Sequence, residues 1–165
     1  MTGPVDRREV EELLLLEAYL LDARDLDGWL ELFTEDATYW LPMGDEDPDH
    51  EPSLVFDDRQ RMEERVFRLL DTPAYAQMPP SRTLHNITNI RVLESSPSAA
   101  QVSCHLVVHE VRIGDPSQVG LASPRSFPAS CTYRLIREDR ALLIQEKVVR
   151  LLSRELPQYN LTFIV

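Results

Sequence analysis

The sequence predicts an α+β fold: three N-terminal helices packed on a curved, mostly antiparallel sheet, forming a single domain over residues 1–165. Three observations predict it. Apolar residues recur at helical spacing in the first third of the chain, alternation with a period of two dominates from Arg82 onward, and Asp25–Pro42 (DLDGWLELFTEDATYWLP) hands one pattern over to the other. In that hand-over Trp29, Leu32 and Phe33 share a helical face, Thr34, Glu35 and Asp36 break the period, and Ala37–Leu41 reads as a strand stopped by Pro42.

The first helix opens at Asp6, with Glu9 three residues later as a capping box, and runs to about Arg24. Val10, Leu13, Leu14, Ala18 and Leu21 form its inner stripe. Leu15, Leu16, Tyr19 and Leu20 widen that stripe beyond what one sheet covers, so the helix either faces another subunit or is wrapped on several sides. After the first strand, residues 44–52 (GDEDPDHEP) read as a surface loop. The spacing of Asp45, Asp47 and Asp49 matches the start of a calcium loop, but His50 stands where the sharp turn needs glycine and Phe56 where a bidentate glutamate belongs. A solvated loop is the better reading. Asp57 is expected to cap a third helix, in which Met62, Val66, Leu69 and Leu70 repeat, ending near Asp71.

Four strands are expected at 84–93, 100–113, 127–137 and 141–152, followed by a terminal strand at 160–165. The turn Arg137–Arg140 joins two long strands in a hairpin expected to dominate the sheet. In the strand expected at 100–113, Val102, Cys104, Leu106 and Val108 take the core face, and Ser103, His105, Val107 and His109 the half-polar face.

Composition narrows the function. At 165 residues the chain buries roughly 70% of its unfolded surface and needs no metal or disulfide staple. A net charge of −11, from 28 acidic against 17 basic residues, excludes nucleic acid and anionic membrane as partners, since no basic run offsets the repulsion. Lys147 is the only lysine. Cys104 and Cys131 lie in apolar runs that suit buried free thiols, and the N-terminus suits neither a secretory signal nor a membrane span, so a cytoplasmic protein is expected.

No metal, cofactor or catalytic set emerges from the side chains. On a strand His105 and His109 share a face about 13 Å apart, too far for one ion. A Rieske cluster needs Cys-x-His and Cys-x-x-His pairs, and Arg134 stands where the second histidine belongs. A facial triad of His85, His105 and Glu110 mixes opposite strand faces. Phosphate-cradling glycine motifs and hydrolase elbows do not occur. One enzymatic alternative survives: acid/base work in a cavity by His85 with Asp36, Tyr39 or Tyr133, as in a stand-alone isomerase or dehydratase. Against it, His85 serves as readily to hold a loop and Asp36 to cap the helix-to-strand turn.

The helix–turn–strand order resembles the cone-shaped fold called nuclear-transport-factor-2-like (NTF2-like) or cystatin-like, which does not by itself choose a function. The run Ser81–Ile90 (SRTLHNITNI), with its Arg-Thr-x-His-x-x-x-Asn pattern, resembles the small, or β, subunit of aromatic-ring-hydroxylating dioxygenases. So do Glu31–Pro42, Ser53–Leu69, Lys147–Leu151 and the apolar tail Asn160–Ile164, in the same order and at compatible distances. The match is least clear over Gly114–Arg125.

The resemblance implies a structural, non-catalytic subunit. It implies a large α partner carrying a Rieske [2Fe–2S] cluster and a mononuclear Fe(II), assembled with this chain as an α3β3 hexamer in which the β chains self-associate as a trimer. Electrons would come from NAD(P)H through a reductase and in some systems a ferredoxin, and the α subunit would dihydroxylate the arene. Under that reading Arg82, Thr83, His85, Asn89 and Trp40 are a structural signature or subunit contact. The alternatives are the isomerase or dehydratase above and a cone-fold binding module. The arene itself is not legible, because its pocket belongs to the α subunit.

Overall fold

The structure, a computed structural model, describes residues 3–44, 47–115, 117–118 and 121–165. Helix α1 (Arg7–Asp22) begins as its sequence requires: the Asp6 carboxylate accepts from the Glu9 amide, and the Glu9 carboxylate accepts from the Asp6 amide, each at 2.9 Å. It stops two residues short of Arg24, which adopts a left-handed φ of 56°. Val10, Leu13, Leu14, Ala18 and Leu21 are buried against the sheet, while Leu15, Leu16 and Tyr19 are exposed. Of the two expectations for this stripe, wrapping on several sides is therefore not met.

Helix α2 (Leu26–Leu30) is shorter than the spacing suggests: Phe33 opens strand β1 (Phe33–Pro42) rather than closing a helical face. The apolar contact survives, since the Trp29 and Phe33 rings meet edge-on at 4.8 Å. Strand β2 (Ser53–Asp58) was not expected. It pairs antiparallel with β1, Tyr39 opposite Asp57 and Trp40 opposite Phe56, and the acidic loop is the hairpin connection, Asp45 lying outside the described residues. The cap of helix α3 (Arg59–Asp71) is consequently Asp58, whose carboxylate accepts from the Arg61 amide. Asp57 instead faces inward and holds Arg65 at 2.6 Å, tying α3 to the strand before it.

Strands β3 (Arg82–Ser95), β4 (Ala99–Val111), β5 (Arg125–Glu138) and β6 (Ala141–Leu151) form a meander. With the first two strands they make one six-stranded sheet of order β2-β1-β6-β5-β4-β3, antiparallel except where β1 lies parallel to β6. The predicted faces of β4 are correct: Val102, Cys104, Leu106 and Val108 are buried, His105 and His109 exposed. Ile113 falls outside β4, which ends at Val111. Cys104 pairs directly with Cys131, and both are buried free thiols.

The expected terminal strand at 160–165 does not form. Side chains capture its backbone in place of a strand partner: Arg125 donates to the Asn160 carbonyl, and Tyr39 and Lys147 bind Val165. The core lies between the helices and the inner sheet face, and this tail enters it, with Ile164 and Val165 both buried.

Candidate functional site

At the centre of the core stands an ionic cluster rather than a pocket. Helix α1 brings Glu17 inside because it occupies the same face as Leu13, Leu14 and Leu21, and β6 brings Lys147 inside because it alternates with the outward Glu146 and precedes the buried Val149 by two. Their charges meet at 2.8 Å, both side chains essentially without solvent contact. Glu17 also accepts from Trp29 Nε1 at 3.1 Å and the Tyr133 hydroxyl at 3.0 Å. Lys147 Nζ donates onward to the Val165 carbonyl at 2.9 Å and lies 5.7 and 5.9 Å from the ring centres of Tyr39 and Tyr133. Each charge thus has the partners that burial demands.

Burial would lower the Lys147 pKa, but the Glu17 charge and hydrogen bond outweigh it, and the ammonium is held above its ordinary 10.5. Burial raises Tyr39 above 10.0, and burial reinforced by the Glu17 carboxylate raises Tyr133 further. All three groups keep their protons in the folded chain at a pH where the unfolded chain releases them. The stability this contributes is complete below about pH 10 and falls as pH rises beyond it. Urea midpoints measured between about pH 8 and 11 should therefore drop steeply above 10, and a flat profile would contradict the cluster.

The sequence-predicted residues lie elsewhere and do not converge. Thr83 Oγ1 donates to Asp22 Oδ1 at 3.0 Å, the His85 amide donates to Asp22 Oδ2 at 3.0 Å, and His85 Nδ1–H donates to Oδ1 at 2.6 Å. Burial alone would raise the Asp22 pKa, yet these bonds hold it below the ordinary carboxylate value. The site thus fastens the C-terminal end of α1 to β3. Asn89 takes a left-handed φ of 53° where the β3–β4 register slips between Thr88 and Arg91, a conformation asparagine tolerates, and its amide meets His105 Nδ1 at 2.8 Å. Arg82 is exposed and lines a surface groove with Leu84, His109 and Arg125. Trp40 is half-buried on the outer sheet face, bonded to Ser53, edge-on to Phe56, with the Arg150 guanidinium 5.9 Å from its ring.

The acid/base alternative lacks its geometry. Asp36 is exposed on β1, where it accepts from Thr34 and Gln145 and caps no helix; those two hydrogen bonds lower its pKa. Tyr39 is engaged by Val165 and Tyr133 by Glu17, so neither can serve His85. A partly open cleft beside Leu21, Leu69 and Phe163 holds only about 30 Å³, room for a water or two, and its walls include neither His85 nor Asp36. Glu110, the carboxylate of the imagined triad, accepts from Ser81 at 2.7 Å and Arg125 at 2.9 Å on the buried face opposite His105. Among the described residues no group of three or more His, Cys, Asp or Glu could hold a metal ion. No helix there is long and apolar enough to cross a membrane.

Sequence reasoning missed the Glu17–Lys147 pair. Two signals were present: a glutamate inside the apolar stripe of α1, and the only lysine of the chain set at an inward position beside Val148–Val149.

Comparison with known proteins gives this scaffold its family. The family model described as "Ring hydroxylating beta subunit" matches residues 16–158. The chain is 39% identical over 147 residues to the small oxygenase component of the p-cumate 2,3-dioxygenase system of Pseudomonas putida, covering 87% of this chain and 77% of that one. It is 41% identical over 91 residues to the benzoate 1,2-dioxygenase β subunit of Acinetobacter baylyi, covering 51% of this chain and 54% of that one. The crystal structure of a benzoate 1,2-dioxygenase β subunit from Burkholderia mallei superposes with a TM-score of 0.76 at 26% identity, covering 97% and 98% of the two chains. The fold is thus the NTF2-like cone of these subunits. With its interior closed by an ion pair and its family established, the chain belongs to the ring-hydroxylating β subunits and is the β component of an aromatic-ring-hydroxylating oxygenase, an oxidoreductase.

Proposed function

We propose that this chain has no catalytic residues of its own and serves as a support on which the α subunit is assembled, in an α3β3 hexamer with the β chains as a central trimer. The observation that carries this reading is the contrast between inside and outside. The interior, where a cone-fold enzyme would hold substrate, is occupied by Glu17, Lys147 and the tail, whereas the outside presents Leu15, Leu16 and Tyr19 on α1 and Leu84 and Ile113 at the sheet end. Exposed apolar side chains grouped in this way suit subunit interfaces of the obligate kind, which bury on the order of 2,000 Å² or more. Arg82, Thr83, His85, Asn89 and Trp40 act as structural and contact residues: Thr83, His85 and Asn89 shape β3, while Arg82 and Trp40 face outward.

The α partner would carry the Rieske cluster and the Fe(II), fed from NAD(P)H through a reductase or ferredoxin, in the cytoplasm. The names of the relatives, p-cumate, toluate and benzoate dioxygenases, support an aromatic carboxylate as substrate class. The test is co-expression of this chain with the large subunit of its own oxygenase, followed by mass measurement in solution. A six-chain complex is expected. A large subunit that assembles and oxygenates at full rate with no β chain present would overturn the proposal.

A further inference from the structure

Cys104 and Cys131 stand directly opposite each other on the neighbouring antiparallel strands β4 and β5, and both are buried. Backbone hydrogen bonds fix the distance this implies. The Arg137 amide donates at 2.8 Å to the carbonyl of Ser98, its cross-strand neighbour, and the register then runs without a slip to the cysteines. Bonded and non-bonded pairs alternate, and an even number of residues separates Ser98 from Cys104, so the cysteines form a hydrogen-bonded pair with Cα atoms about 5.5 Å apart. The other side of β5 agrees. The Leu152 amide donates to the Pro128 carbonyl, so Cys131, an odd number of residues on, turns its backbone groups away from β6 and toward β4.

A separation of about 5.5 Å falls inside the range of roughly 4.4–6.8 Å that a disulfide spans, and near its commonest value. Facing Cβ atoms in such a pair lie about 4.5–5.5 Å apart, against about 3.5–4.5 Å in a disulfide, so closure needs only a local approach of the two strands. The thiols are also unequal. A hydrogen bond from the Cys131 thiol holds Cys104 below its ordinary pKa, and the same bond, reinforced by burial, pushes Cys131 well above. Cys104 is therefore the sulfur that reacts first. A cleft of about 510 Å³ opens beside the slip in register between Thr88 and Arg91, and its walls include both cysteines together with Asn89, Arg91 and His105, which gives a small neutral oxidant a route to the pair. We propose that Cys104 and Cys131 are a peroxide-responsive pair that closes to an intramolecular disulfide between β4 and β5 in the folded subunit. Hydrogen peroxide is the oxidant. The Cys104 thiolate attacks one peroxide oxygen, the S–O bond forms as the O–O bond breaks, and the departing hydroxide takes the thiol proton and leaves as water. The Cys131 sulfur then attacks Cys104, the S–S bond forms as the S–O bond breaks, and the second hydroxide leaves as water with the Cys131 proton. The two thiols give up two electrons and the peroxide gains them. This goes beyond the reading of the chain as a support and rests on different atoms, so either can fail without the other.

Reduced full-length chain is treated with hydrogen peroxide under native conditions, its remaining thiols are alkylated with N-ethylmaleimide in urea, and the products are read by mass spectrometry. The chain is expected to lose both alkylatable thiols together and to become lighter by two hydrogens, with Cys104 and Cys131 in one crosslinked peptide that dithiothreitol opens. Cys131→Ser should halt at the Cys104 sulfenic acid, heavier by one oxygen and trapped by dimedone, whereas Cys104→Ser should slow oxidation of the remaining thiol by about tenfold or more. A folded chain that keeps both thiols, oxidises them independently to sulfinic acids, or joins to a second chain through them overturns the proposal. The unsubstituted chain decides the question even where a serine variant fails to fold.

Discussion

Lys147→Met is expected to destabilise the chain by about 3–5 kcal/mol, because it leaves the Glu17 carboxylate buried without its counter-ion. The effect is large for a physical reason distinct from the strength of the pair itself. Taking both charges from water offsets most of their mutual attraction, so the pair as a unit contributes little. A single survivor keeps the desolvation cost and loses the attraction. For a domain of this length that corresponds to a fall in melting temperature on the order of 10 °C. The double variant Glu17→Gln/Lys147→Met should recover most of the loss, since the glutamine oxygen still accepts from Trp29 while its amide N–H donates to the Tyr133 hydroxyl, with no charge left buried. Urea unfolding of the three proteins checks this. If Lys147→Met and the double variant are equally unstable, the charge is not the cause.

Trp29→Ala is expected to cost a comparable amount, about 3–5 kcal/mol, by a different route. Trp29 is fully buried, meets Phe33 at 4.8 Å and Tyr39 at 5.9 Å, and its removal opens a void that the flanking helix and strand cannot close. It also withdraws a donor from Glu17, so the two substitutions share a partner and should not be additive. Combined with Lys147→Met, the total should differ from the simple sum by at least about 0.5 kcal/mol. Additivity within error would mean that ring packing and the ionic cluster are independent.

Much of this architecture was legible in the sequence because it follows from spacing. The Asp6–Glu9 box, the buried row of β4 and the β5–β6 hairpin are local patterns, and each formed as read. The errors fall where long-range pairing decides. Ser53–Asp58 carries no clear alternation and becomes a strand only because β1 offers an edge beside it, which moved the α3 cap from Asp57 to Asp58. The tail 160–165 has the composition of a strand, but wall side chains claim its backbone first. The centre of the molecule was the least legible part, since Glu17 and Lys147 are 130 residues apart and nothing local announces that two charged residues will be neighbours in a core. Asp22, which unites Thr83 and His85, escaped for the same reason.

This chain is expected to support oxygenation without performing it. The direct measurement is the iron and acid-labile sulfide content of the chain purified alone, beside the complex with its large subunit, each assayed for arene dihydroxylation. The chain alone should contain neither iron nor sulfide and oxidise nothing, with all three appearing in the complex. Stoichiometric iron retained by the lone chain, or a dihydrodiol formed by it, would contradict the account.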